Sequence, residues 1–187
     1  MTEAYSDPLK SEQFPQTAEA VLHGEASFAD LGLDAFEVTL LPQLRHFMTC
    51  LLHPESQAWQ LAYRSASERW GDTYGLAVAH ALFKVVRCLY DIRGDLYQVH
   101  DALNLETRAS VTADESAFLR MLHHMRRDET PAARDAVADL TGGWMEPHVI
   151  RAALAFAHRF PVGKVEQQRP QQTLQNARLR SGLRVVG

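Results

Sequence analysis

From Asp34 onwards, hydrophobic residues recur at intervals of three and four, the spacing that puts them on one face of an α-helix. The first series is Leu40, Leu41, Leu44, Phe47, Met48, Leu51 and Leu52. Asp34 and Glu37 precede it with the spacing of a capping box, which predicts a helix start. Because Pro42 lacks a backbone donor, the helix either kinks there or begins its regular part near Leu41.

The same spacing predicts five further helices, at about 55–70, 73–93, 113–128, 131–140 and 147–160, with Gly or Pro in most of the turns between them. The helix at 73–93 is apolar on all but a narrow stripe, so we expect it to lie centrally. A short helix is also expected at 17–23. Residues 95–111 fit either a helix or an ordered loop, because their apolar residues are sparse.

The sequence therefore predicts an all-α fold, a compact bundle of five or six helices spanning residues 17–161. Residues 1–16 hold two prolines and few apolar side chains, so we expect a flexible, disordered N-terminus. Residues 162–187 lose the dense helical pattern and are rich in Gln, which predicts a flexible C-terminal tail.

The charge of the chain divides at the same point. The whole chain is formally −4, and residues 162–187 hold five basic side chains and one acidic, so they carry +4 and residues 1–161 carry −8. Such a split favours a tail that contacts another molecule. Arg178, Arg180 and Arg184 with Leu179 and Leu183 would form a basic amphipathic helix on a protein partner.

Composition excludes several classes of protein. Hydrophobic residues make up 46% and charged residues 22%, as in ordinary soluble proteins. A pI near 6.1 argues against a nucleic-acid coat. We expect no membrane span, because every apolar run is broken by charges. The polar start MTEAYSDPLKSEQ predicts no secretory signal, and two cysteines in apolar helical patterns predict reduced thiols, so we expect a cytoplasmic protein.

Catalytic and cofactor signatures are absent from the sequence. There is no nucleophile elbow, Cys-x-x-Cys motif or phosphate-binding glycine loop, so we expect no cofactor and favour a protein that is not an enzyme. Most acidic residues stand at predicted helix starts, where capping explains them. The helices on either side of Gly142-Gly143 have the outline of a helix-turn-helix, but the second is mostly apolar.

The polar stripe of the central helix is the candidate ligand site. Its members are His80, Lys84, Arg87 and Asp91, at spacings of 4, 3 and 4. The stripe either lines a ligand pocket or is the solvated face of the helix. The Arg87 and Asp91 pair is the best candidate for a polar group inside the bundle.

A metal site is not expected, although the chain has nine histidines. No His-x-x-x-His or His-Glu-x-x-His motif is present, and the adjacent His123 and His124 should point about 100° apart on a helix. The remote alternative is a site of Cys50, Cys88 and His46 across two packed helices.

These observations favour a non-enzymatic cytoplasmic regulatory or adaptor protein that acts through protein–protein contacts. We expect a protein partner or a homo-oligomer. One alternative is a ligand sensor or enzyme with a pocket on the central helix. The other is a DNA-associated transcriptional regulator, which is disfavoured because four net positive charges in the tail would bind phosphates weakly.

Overall fold

The structure is a computed structural model that describes residues 26–27 and 31–163. In chain order these form β1 (Ala26–Ser27), α1 (Ala35–Val38), α2 (Leu41–Leu52), α3 (Trp59–Trp70), α4 (Asp72–Arg93), β2 (Ser110–Val111), α5 (Ala113–Arg126), α6 (Thr130–Thr141) and α7 (Pro147–Arg159). The two strands form one short antiparallel pair, with Ala26 opposite Val111. The all-α prediction and its six main helices are confirmed.

The first helical series is divided in two. The Asp34 side chain accepts hydrogen bonds from the backbone of Phe36 and Glu37, and the Glu37 side chain accepts one from the Asp34 backbone, so the capping box is real. However, α1 ends at Val38, and Pro42 lies in the first turn of α2. A proline is tolerated there because the first-turn N–H groups have no partner within the helix.

Helix α4 is central, as its composition predicts. It contacts α2, α3 and α7, and Val78, Leu82, Val85 and Leu89 are fully buried. Its start passes very close to α3, because Gly75 has no side chain to hold the two backbones apart. The apolar surface of α4, which covers all but the polar stripe, thus lies in the middle of the core.

Phe36 joins helices that are distant in sequence. Its ring centroid lies 5.4 Å from that of Trp70 at the end of α3, and about 6 Å from those of Phe156 and Phe160 at the end of α7. Aromatic pairs at these separations add to the free energy gained from burial. The short α1 is therefore fixed by packing rather than by its own length.

Residues 95–111 form an ordered loop, which was one of the two interpretations of this segment. After a 3₁₀ turn at Gly94–Leu96, the loop is tied to the start of α5. The Tyr97 hydroxyl donates to the backbone oxygen of Asp114 at 3.0 Å, and the Gln98 N–H donates to the Asp114 carboxylate at 2.8 Å. The segment has too few apolar residues to pack as a helix, and these polar contacts hold it in place instead.

Three sequence expectations fall outside the residues that the structure describes: the disordered segment 1–16, the helix at 17–23 and the tail beyond Gly163, with Arg178, Arg180, Arg184, Leu179 and Leu183. They stay predictions. Among the described helices, none has the length and hydropathy that crossing a membrane requires.

Candidate functional site

The predicted polar stripe lies on the outer face of α4. His80, Lys84, Arg87 and Asp91 are all exposed. Arg87 and Asp91 form an ion pair at 2.8 Å, but their side chains are 54% and 55% exposed. This candidate pair therefore does not lie inside the bundle, and the stripe is a solvent-exposed face of α4, which was one of the two interpretations.

Two members of the stripe also border a groove between α4 and α7. The groove has a volume of about 590 Å³. It is lined by Ala81, Phe83, Lys84, Arg87, Cys88, His148, Arg151, Ala152, Ala155, Phe156 and Arg159. His80 and Asp91 are not among these residues, so the structure divides the predicted site. We call this feature the α4–α7 groove.

The rim of the α4–α7 groove is cationic. Lys84 and Arg87 come from α4, and Arg151 and Arg159 come from α7; all four are exposed. No carboxylate is among the described residues that line the groove, although Asp91 is paired with Arg87 at its edge. Because residues 1–161 carry −8 in total, this concentration of positive charge is a local feature of an acidic surface.

The floor of the groove is apolar. Phe156 is buried against the core, Phe83 packs on Phe47 with ring centroids 5.1 Å apart, and Ala152 and Ala155 leave space above them. Small side chains along one flank of a groove admit the side chains of a bound segment. The groove therefore combines apolar contact area with cations along its edges.

The polar groups that are truly inside the bundle lie elsewhere, in a network that we call the Glu37 cluster. Glu37 accepts hydrogen bonds from His123 Nδ1 at 2.8 Å and Arg127 Nη1 at 2.6 Å, and it pairs with Arg126. Arg126 also bonds Asp34 at 2.7 Å. Burial alone would raise the pKa of Glu37, but these partners hold it below its ordinary value of 4.5.

A second buried ion pair ties α2 to α5. Arg45 Nε lies 2.7 Å from Glu115 Oε1, and the Arg45 guanidinium also donates to the backbone oxygen of Ser110 at 2.7 Å. Glu115 in turn accepts the His100 N–H at 3.1 Å and the Thr112 N–H at 3.0 Å. Every polar side-chain atom of this pair thus makes a hydrogen bond, and several of these bonds fix the loop before α5.

Glu37 and Glu115 stand at predicted helix starts, where capping explains an acidic residue, and both do cap helices. The arginines that neutralise these two carboxylates were not predicted. A signal was present: Arg45 stands four residues after Leu41, and Arg126 stands four residues after Leu122, so each occupies the apolar face of its helix. A charge on such a face requires a buried partner.

The structure brings His123 and His124 together with Glu129. One ligand atom from each of the three lies within 4.8 Å of the others, and no other group of three or more metal-binding side chains occurs among the described residues. The two imidazoles pack edge to face with centroids 5.1 Å apart, so the angle of about 100° between adjacent helix positions does not keep their nitrogen atoms far apart. Cys50 and Cys88 are free, partly buried thiols and do not form such a group with His46.

Comparison with protein-family models, with curated proteins and with solved structures found no match to this chain.

Proposed function

We propose that the protein is a non-enzymatic regulatory or adaptor protein that binds an acidic amphipathic helix of a protein partner in the α4–α7 groove. The observation that carries this proposal is the pairing of a cationic rim with an apolar floor on an otherwise acidic molecule. A helix with Leu-type residues on one face and Glu or Asp beside them matches both parts.

Charged side chains at the rim would orient the bound helix in the groove. Lys84 and Arg151 come from opposite walls of the groove, and both side chains are exposed. Acidic side chains that flank a bound helix would reach them at the edges, where complementary charges speed association and fix orientation. The apolar floor would supply the burial that exposed ion pairs alone do not provide.

Nucleic acid is a less suitable occupant of this groove. A phosphate backbone would form ion pairs with the cations of the rim, but it has no apolar groups to pack against a floor of Phe and Ala side chains.

The proposal is tested with a defined probe. A fluorescent 18-residue helical peptide of Leu, Ala and Glu is titrated with the full chain, and its twin with Lys in place of Glu is the charge control. We expect the acidic peptide to bind and the basic twin to bind much more weakly. Fluorescence anisotropy measures both, and rising salt should weaken the binding of the acidic peptide.

Substitutions locate the binding site. The double variant Lys84→Glu with Arg151→Glu should lower affinity by about tenfold or more, because attraction at the rim becomes repulsion. Ala155→Trp adds a bulky side chain to the lining of the groove without changing its charge, and it should also block binding. The matched control is Arg64→Glu on α3, an exposed cation that does not line the groove, and it should bind as the wild type does.

Three results would contradict the proposal. The first is equal binding of the acidic and basic peptides. The second is loss of binding in Arg64→Glu to the same extent as in the groove variants. The third is a double-stranded DNA oligonucleotide that displaces the peptide from the groove, which would favour the transcriptional alternative.

A further inference from the structure

His123, His124 and Glu129 form a second candidate site at the C-terminal end of α5, and none of the three lines the α4–α7 groove. Their ligand atoms lie within 4.8 Å of one another. The His124 Nδ1 to Glu129 Oε2 distance is 2.6 Å. We propose that these three side chains bind one Zn²⁺ ion.

The ligand set suits zinc. Two imidazoles and one carboxylate are a common donor set for zinc when one coordination position is left open. Bonds to zinc are about 2.0–2.2 Å long, so small side-chain movements would have to bring the three donor atoms to that distance from a single ion. Glu129 is about half exposed and can make this small movement. Calcium and magnesium prefer all-oxygen sites, so they are disfavoured.

Glu37 already orients one of the ligands. Its Oε2 lies 2.8 Å from Nδ1 of His123, and the Glu37 side chain is fully buried. This contact fixes the imidazole ring and leaves Nε2 of His123 as the free nitrogen. A carboxylate behind a metal-binding histidine is the usual arrangement, because it selects the tautomer and strengthens the ligand.

The turn between α5 and α6 positions the third ligand. The Glu129 N–H donates to the backbone oxygen of His124 at 3.0 Å, and Asp128 takes a left-handed conformation with φ of 57°. The backbone therefore holds Glu129 beside His124 before any ion is bound. Since the three ligands come from a helix end and its turn, they are placed by local structure.

An open coordination position would have space beside it. His124 and Glu129 line a cavity of about 120 Å³ whose other walls include Met125, Val137 and Leu154. A water molecule or a small ligand atom could complete the coordination there. Zinc would also link the end of α5 to the start of α6, so its binding should stabilise the folded state.

Zinc titration of the untagged full chain tests the proposal. Isothermal titration calorimetry should show a site that binds one Zn²⁺ per chain, and the melting temperature should rise on adding Zn²⁺. His124→Ala and Glu129→Gln should each weaken binding at this site by about tenfold or more. Both side chains are partly exposed or exposed, so the variants should fold, and circular dichroism checks this. Cobalt(II) in place of zinc should give visible absorption typical of four-coordination.

The matched control is the exposed pair His53 and Glu55, whose nearest side-chain atoms lie 3.8 Å apart with no second imidazole. His53→Ala with Glu55→Gln should bind zinc as the wild type does. The proposal is overturned if no such site is detected in the wild type, if its affinity survives in the double variant His124→Ala with Glu129→Gln, or if the control pair loses it equally.

Discussion

Glu37 shows how one carboxylate can have both a local and a tertiary role. It accepts the Asp34 N–H at 2.9 Å within the capping box, and its other contacts cross to His123 on α5 and to Arg127 just after that helix ends. A buried charge is tolerated only when its hydrogen-bonding capacity is filled in this way. The short α1 is therefore held to α5 by charge as well as by the packing of Phe36.

The Glu37→Gln substitution should lower the free energy of unfolding by about 3–5 kcal/mol, because it removes one of the two carboxylates that neutralise the buried Arg126 and leaves only Asp34. Urea denaturation measures the change. The control is Glu68→Gln, which removes an exposed pair with Arg64 and should have little effect. A loss below about 1 kcal/mol for Glu37→Gln would show that the cluster adds nothing beyond its own desolvation.

His46 should make stability depend on pH. Burial lowers its pKa below the ordinary value of 6.5, and Asp101 only partly opposes this shift. The unfolded chain therefore takes up a proton at a higher pH than the folded chain does, so stability is retained above 6.5 and falls as the pH drops below it.

Denaturation midpoints measured from about pH 7.5 to 5.5 test this expectation. The His46→Asn variant should lose less stability over this range than the wild type does. The exposed His80→Asn is the matched control and should follow the wild-type profile. Identical profiles for the wild type and His46→Asn would contradict the prediction.

At the scale of elements, the contact of α3 with α4 depends on one missing side chain. A Cβ at Gly75 would lie 2.9 Å from the backbone nitrogen of Ser67 and closer still to the carbonyl group of Ala66. Backbone atoms cannot move aside as a flexible side chain can. The two helices therefore approach as closely as they do because residue 75 is glycine.

Gly75→Ala should destabilise the protein by about 1–3 kcal/mol, since the clash between α3 and α4 outweighs the better helix propensity of alanine. Thermal and urea denaturation measure the change. The neighbouring exposed Thr73→Ala is the control and should have little effect. A Gly75→Ala protein as stable as the wild type would mean that the helices can separate at this point without cost.

At the scale of the whole molecule, the division of charge is the main feature. The core is closed by elements that lie between Phe36 and Phe160, and both residues belong to the same hydrophobic cluster. The +4 segment begins just after this cluster ends. We therefore predict that residues beyond Gly163 act in an interaction and are not required for folding.

Truncation after Gly163 should leave the melting temperature nearly unchanged, because the hydrophobic cluster stays complete. Scanning calorimetry of the two proteins measures it. The charge variant Arg178→Glu, Arg180→Glu and Arg184→Glu, in the full chain, should fold normally and lose contacts that depend on the tail. If the truncated protein unfolds or aggregates, the segment is a packed part of the domain and the predicted boundary is wrong.

The features that the sequence alone predicted are those that depend on neighbours along the chain. The capping box of Asp34, the helical spacing of apolar residues and the central place of α4 all follow from contacts within four residues or from composition. The candidate stripe was located on α4 by the same logic, but its four members alone could not reveal a groove, because more than half of the lining residues come from α7.

The tertiary structure decided everything that joins distant positions. Arg45 meets Glu115 across 70 residues and Arg126 meets Glu37 across 89, and no local spacing specifies either pair. The cluster of His123, His124 and Glu129 is local in the chain, but residue spacing did not predict it, because side-chain rotamers and the turn conformation set the positions of these groups. Short-range spacing determines helices and their faces, whereas the partner of each face depends on how the helices pack in space.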